Sequence, residues 1–157
     1  MNRVDLSFEG VSELAWADSL IAFTLAVLEK LGKEGWDVSL LICDDPFIRD
    51  LNARYRSKDE ATDVLSFVLG EWTPDEGEGK RWAAGDIAIS LDTLEKNAIY
   101  FGVGRDEELR RLVIHGVLHL AGMDHEDNDS DRPMLLLQEK LLVELAEMNI
   151  MIGETQA

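Results

Sequence analysis

His115, His119 and His125 are the only histidines in the chain, and they share one short stretch, His115-Gly116-Val117-Leu118-His119-Leu120-Ala121-Gly122-Met123-Asp124-His125. On a helix, residues four apart lie one turn apart on one face, so His115 and His119 point the same way. Gly122 stands where a helix needs a left-handed terminal residue. A chain that stops there folds back and brings His125 toward the other two. Three imidazoles around one ion, with a position left open, form the donor set of a catalytic zinc site; structural sites are usually closed by four ligands. Imidazole also suits nickel and iron, but zinc, one per chain, is the expected ion. Its chemistry would be hydrolysis, through water whose pKa the ion lowers toward about 7. The plainer alternative, three unrelated core or surface histidines, does not account for their sharing one window at helix-then-turn spacing.

The spacing parallels the zinc-protease pattern His-Glu-x-x-His-x-x-Gly-x-x-His, in which Glu is the general base. Here that position is Gly116. The cage is present and the protease base is missing, which points to metal-assisted hydrolysis of something other than an ordinary peptide.

Residues 115–125 follow His-Gly-x-Leu-His-Leu-x-Gly-x-Asp-His throughout, and in this the chain resembles the YbeY-type endoribonucleases, ribosomal RNA maturation factors of bacteria. Further matches are Leu51-Asn52 with Tyr55-Arg56, then Thr62-Asp63-Val64-Leu65-Ser66-Phe67, then Gly85-Asp86-Ile87. The resemblance covers roughly residues 36 to 145; one departure is Val68, where the family usually has proline. It implies a mixed sheet covered by helices and a zinc-dependent, single-strand-selective endoribonuclease. It also implies action in small-subunit rRNA maturation and ribosome quality control. Arg56 matches the arginine that the family places near the metal, where a guanidinium would stabilise charge building on the phosphate oxygens. Read without the resemblance, Arg56 is a solvated arginine at a helix C-terminus, favoured by the helix dipole. Asp124 is open between orienting a histidine and satisfying helix-end amides. Thr62, Asp63 and Asp86 read as turn- and strand-shaping residues.

Positioning these groups requires a buried, rigid frame. Around the histidines, Leu109, Leu112, Val113, Val117 and Leu120 form one apolar face and Ile114 and Leu118 another, so the helix should be buried, capped by Asp106. Gly116 would allow close packing against a neighbour. Alternation over residues 2–9 reads as a half-buried strand, 14–31 as a helix ended by Gly32, and 36–43 as a second strand. Asp45-Pro46 reads as the N-cap and first turn of a helix with Ile48, Leu51 and Tyr55 as its core stripe. Val64 to Leu69 reads as a strand buried on both faces, 70–84 as a loop rich in glycine and acids, and 86–90 as a short strand. Residues 91–101 form a helix broken at Gly102. A last helix starts at Ser130 to Pro133 and carries Met134, Leu137, Leu141, Leu145 and Met148. The expected architecture is α+β: one domain over 1–152, about four strands and five helices, the metal at the C-terminal end of the central helix, and a frayed tail at 153–157.

Length and an apolar content of 46% suit one globular domain with a real core. The single cysteine, Cys43, lies in an apolar run and reads as a buried small hydrophobe, and a chain with no intrachain disulfide suits a reducing cytoplasm. The N-terminus has no basic region of a signal peptide, and the longest apolar run, 19–28, is too short to span a bilayer. A net charge of −17 argues against sequence-independent binding of nucleic acid. RNA contact must then be local, with Arg49, Arg54, Arg56 and Lys58 the best patch and Lys80 with Arg81 a weaker one, or must be helped by the ribosome or a ribosome-associated protein. DNA and membrane partners are not expected. Two other readings stay open: a zinc peptidase or amidase with a base from elsewhere, and a ribosome-associated binding factor whose metal is largely structural.

Overall fold

A computed structural model of the chain describes residues 1–77, 79–124 and 132–152. Four strands form one sheet: β1 (Arg3–Glu9), β2 (Trp36–Cys43), β3 (Val64–Pro74) and β4 (Lys80–Ser90), in the order β1-β2-β4-β3. β1, β2 and β4 run parallel and β3 is antiparallel to β4, so the sheet is mixed. Five helices surround it: α1 (Ala17–Lys30), α2 (Asp45–Arg56), α3 (Leu91–Phe101), α4 (Arg105–Leu120) and α5 (Pro133–Glu144). The architecture is the expected α+β fold. His125, Ser130 and the expected tail at 153–157 lie outside the described residues.

Period-2 alternation decides which way the strands face. Val38, Leu40 and Ile42 of β2 and Ile87 and Ile89 of β4 are fully or almost fully buried, and they join Leu20, Phe23 and Val27 of α1 and the apolar side chains of α4 in the main core. On the opposite face a smaller cluster joins Cys43, Leu65 and Ala88 to Ile48 of α2. Cys43 is fully buried, its Sγ donating to the Ile89 carbonyl at 3.5 Å. Burial, then the nearby Asp44 carboxylate, pushes its thiol up to about 12, so it is an inert core residue.

Two glycines let α4 lie close on the sheet. A Cβ on Gly116 would come within 2.7 Å of Ile87 Cγ2. Gly85 has φ +143, and a Cβ there would sit 2.1 Å from the Phe67 carbonyl oxygen and 3.0 Å from Leu120 Cδ2. α4 is buried almost all round, as its apolar pattern requires.

Several expectations need correction. Asp106 does not cap α4; Gly104 holds that position. Asp106 instead binds the C-terminal segment, its Oδ1 accepting from the backbone N–H of Ile150 and Met151 at 2.7 Å each and its Oδ2 from Arg110. The cap of α2 is Asp44, whose Oδ1 accepts from the Phe47 N–H, while Asp45 ties α2 to α3 through Ser90, Thr93 and Lys96. Tyr55 is 64% exposed, and Asn52 takes the buried place beside Ile48, its Nδ2 donating to the Glu60 carbonyl. The segment expected as a loop over 70–84 is mostly a hairpin, because β3 runs on to Pro74 and β4 begins at Lys80. Nor is β3 buried on both faces: it is an edge strand, and Val68 and Leu69 are exposed. α5 ends at Glu144, short of Leu145 and Met148.

Candidate active site

The last turns of α4 carry His115 and His119 toward β3. Their Nε2 atoms lie 3.0 Å apart, with ring centroids at 4.6 Å. Two nitrogens bound at 2.0–2.1 Å to one tetrahedral ion must lie about 3.3 Å apart, so the pair is already near ligand spacing. Beyond them Gly122 adopts φ +90, and the helix closes as Gly122 N donates to the His119 carbonyl and Met123 N to the Leu118 carbonyl.

The Nδ1 of His115 is 2.7 Å from Oε1 of Gln138 on α5. Gln138 Nε2 donates to Glu139 Oε2, which fixes the amide so that Oε1 faces the imidazole. His115 therefore donates from Nδ1, and its Nε2 is the nitrogen with a lone pair. Glu139 is in turn held by Arg111, whose Nε and Nη2 reach its two oxygens at 3.0 and 3.1 Å. Burial raises the Glu139 carboxyl, but the hydrogen bonds from Arg111 and Gln138 outweigh it and leave the group below the usual carboxylate range. A relay of Arg111, Glu139 and Gln138 thus locks one imidazole. No spacing rule marked Gln138. The signal available was a lone polar residue in the buried stripe Met134–Gln138–Leu141 of α5.

Arg56, at the end of α2, reaches the same place from the other side of β3. Its Nη2 donates to the Ser66 carbonyl at 2.5 Å, and its guanidinium lies over the Phe67 ring, 5.4 Å from the centroid. The left-handed Ser57, φ 58, ends the helix directly after it. Arg56, Ser66, Val68, His115, His119 and Asp124 line one open cavity of about 410 Å³. Among the described residues lining it, Arg56 is the one lysine or arginine. Two of the three expected ligands and the expected arginine therefore share a cavity; His125 lies outside the described residues. Among those residues no group of three or more His, Cys, Asp or Glu side chains is arranged to hold a metal. The donor set present is the His115–His119 pair, with one tautomer fixed, and it fits a borderline-soft divalent ion.

Other marked residues lie elsewhere. Asp63 shapes the entry to β3, accepting from Val64 N and from Asn97 Nδ2. Asp86 is exposed on the opposite sheet face, in a hollow with Ser39, Tyr55 and Phe67. Two of the four residues of the expected basic patch are paired with carboxylates, Arg49 with Asp59 and Arg54 with Asp50. Arg81 is buried and bound by Asp37.

A sequence model of the family described as Endoribonuclease YbeY matches residues 7–146. A curated protein of that name from Treponema denticola is 52% identical over 128 residues, 82% of this chain and 83% of its own. Its counterpart from Treponema pallidum is 44% identical over 145 residues, 92% and 90% of the two chains. The solution structure of a Thermotoga maritima protein aligns with a TM-score of 0.60 at 28% identity, covering 90% of each chain.

Proposed function

The chain belongs to the Endoribonuclease YbeY family, a nuclease hydrolase by that membership, and we propose that it cleaves phosphodiester bonds of single-stranded RNA with a bound divalent metal, zinc first. Its substrate on this reading is ribosomal RNA, in small-subunit maturation and ribosome quality control in the cytoplasm. One observation carries the proposal: His115, His119 and Arg56 come from two helices on opposite sides of β3 to one cavity.

His115 and His119 would hold the metal, with His125 as third ligand. Zinc in such a site supplies Lewis-acid polarisation and activation of water near neutral pH. The rest falls to the chain. Gln138 holds His115 in the tautomer that presents Nε2. Ser66 and Phe67 anchor the Arg56 guanidinium, which would meet charge developing on the non-bridging phosphate oxygens. The acidic surface and the paired arginines of α2 leave little to grip a phosphate backbone, which favours delivery of the RNA by the ribosome or an associated protein.

Position 116 weighs against the peptidase alternative. The residue that would have to be glutamate is a closed contact with Ile87, with no space for a side chain. The proposal is tested by metal analysis of the purified protein together with cleavage of a single-stranded RNA before chelation, after it, and after zinc is restored. One ion per chain and cleavage that disappears and returns are expected. Undiminished cleavage in the chelated protein would refute the metal's role. A tightly held ion in a protein that cleaves no RNA would favour the binding factor with a structural metal.

A further inference from the structure

Three tryptophans form one cross-strand row on the sheet. Trp36 of β2 is in register with Trp82 of β4, and Trp82 with Trp72 of β3. Burial is graded along the row. Trp36 and Trp82 are half-buried against the main core, while Trp72, on the edge strand, is 62% exposed. The Trp72 and Trp82 rings meet edge to face, with centroids 4.9 Å apart and planes at 68°. The outermost indole is thus braced from one side and open to solvent on the rest.

The row is continuous with the candidate active site. Directly opposed residues of an antiparallel pair face the same side of the sheet. Val68, which lines the histidine cavity, pairs with Gly85, and Trp72 pairs with Trp82; the two pairs are an odd number of β4 residues apart, but the register shifts between them and the closeness of both Val68 and the Trp82 ring to Gly70 put them on one face. The C-terminal end of α4 lies over Gly85, where Leu120 would be met by a Cβ at 3.0 Å. Gly85 and Trp82 are three residues apart on β4, about 10 Å of strand, a distance that an extended nucleic acid covers in a few nucleotides. Gly70 fills the gap between them without a side chain: a Cβ there would lie 3.5 Å from the Trp82 ring and 3.8 Å from Val68 Cγ1. A shallow apolar track therefore leads from the cavity along β3 to an exposed indole.

We propose that Trp72 is a base-stacking platform for the RNA strand lying in the active-site cavity, binding one nucleobase a few nucleotides from the bond that is cut. The inference rests on the nuclease reading above and adds where the strand runs. Charge supports this occupant over a phosphate-gripping one. The chain has a net charge of −17, and the nearby Arg81 is consumed by Asp37, so along this part of the sheet base faces are a better source of affinity than phosphates. Stacking on an aromatic ring meets that need because every base has a π-face, and it tolerates sequence.

The test measures binding and cleavage separately, using single-stranded oligoadenylates of increasing length. Fluorescence anisotropy with the full-length protein, which needs no turnover, should show affinity rising once the strand is long enough to reach Trp72. Trp72→Ala should remove that rise, weakening the longer oligomers at least about fivefold, and Trp72→Phe should keep most of it. In cleavage, Trp72→Ala should raise KM for long RNA and leave kcat and the short substrates unchanged. An abasic nucleotide at the stacking position should weaken wild type as the substitution does, and add nothing to it. Equal affinity of wild type and Trp72→Ala at every length overturns the proposal, as does no binding by wild type. If instead the metal-loaded wild type binds in this length-dependent way but cuts nothing, the nuclease reading fails while the stacking site stands.

Discussion

Gln138 on α5 accepts a hydrogen bond from His115 Nδ1 on α4 at 2.7 Å, and this one contact decides which nitrogen of the imidazole faces the cavity. The amide is 7% exposed and oriented by Glu139, which Arg111 holds. Removing such a partner of a metal-binding histidine typically costs about 10–100-fold in metal affinity. Gln138→Leu should therefore weaken zinc by that order in a chelator competition while the protein stays folded by circular dichroism. Unchanged affinity would mean that helix packing alone orients His115.

Gly116 and Ile87 make the second prediction. A methyl on residue 116 would press to 2.7 Å of Ile87 Cγ2, and both residues are buried. Overpacking of this kind costs about 1–3 kcal/mol. Gly116→Ala should lower the denaturant midpoint accordingly, although alanine is the better helix former. Ile87→Val in the same chain does not remove Cγ2, but Ile87→Ala does, and it should make Gly116→Ala close to neutral against its own background. A cost that persists there would place the strain elsewhere.

The main core and most element bounds were legible in the sequence because their causes are local. β2 and α3 follow from periodicity, flanking turns and the glycine after α3. The β3–β4 hairpin was not legible. Gly70, Pro74, Gly77 and Gly79 read as loop, and what holds the strands is pairing across the ladder, Trp72 with Trp82 and Thr73 with Arg81. Tyr55 departs from the core stripe for a related reason: it follows the helical spacing of Ile48 but lies in the last turn of α2, outside the cluster around Ile48. At the site, the His115–His119 pair and Gly122 could be read from helix geometry. Gln138 could not, since its role depends on how α5 packs on α4.

Asp45 gives a prediction in pH. Burial raises its carboxyl, but hydrogen bonds from Ser90, Thr93 and Lys96 and the Lys96 charge more than offset this, so the folded group lies below the ordinary aspartate value. A depressed carboxyl contributes stability that is present above the unfolded value, about 3.9, and is lost as pH falls through the folded one. Wild type should exceed Asp45→Asn in unfolding free energy by a constant margin above about pH 5, and the margin should shrink below about pH 4. A margin independent of pH down to acid unfolding would show that the hydroxyl contacts, and not the charge, carry the effect.

Arg56 separates catalysis from structure. Its guanidinium is anchored by the Ser66 carbonyl and Phe67 at the rim of the histidine cavity, yet the residue is exposed and lies at the last position of α2. Removing it should cost little stability, because exposed contacts at a helix end are weak and no buried partner is stranded. If it meets the phosphate, its worth is realised on charge that grows toward the transition state. Losing such a donor costs about 10²–10³ in rate. Arg56→Ala should keep its metal and melt within a few degrees of wild type, while single-turnover RNA cleavage falls by that factor and RNA binding weakens only modestly. Arg56→Lys should restore little, since an ammonium cannot reproduce the planar bidentate fork. A variant that cleaves at the wild-type rate would return Arg56 to the role of a solvated arginine favoured by the helix dipole.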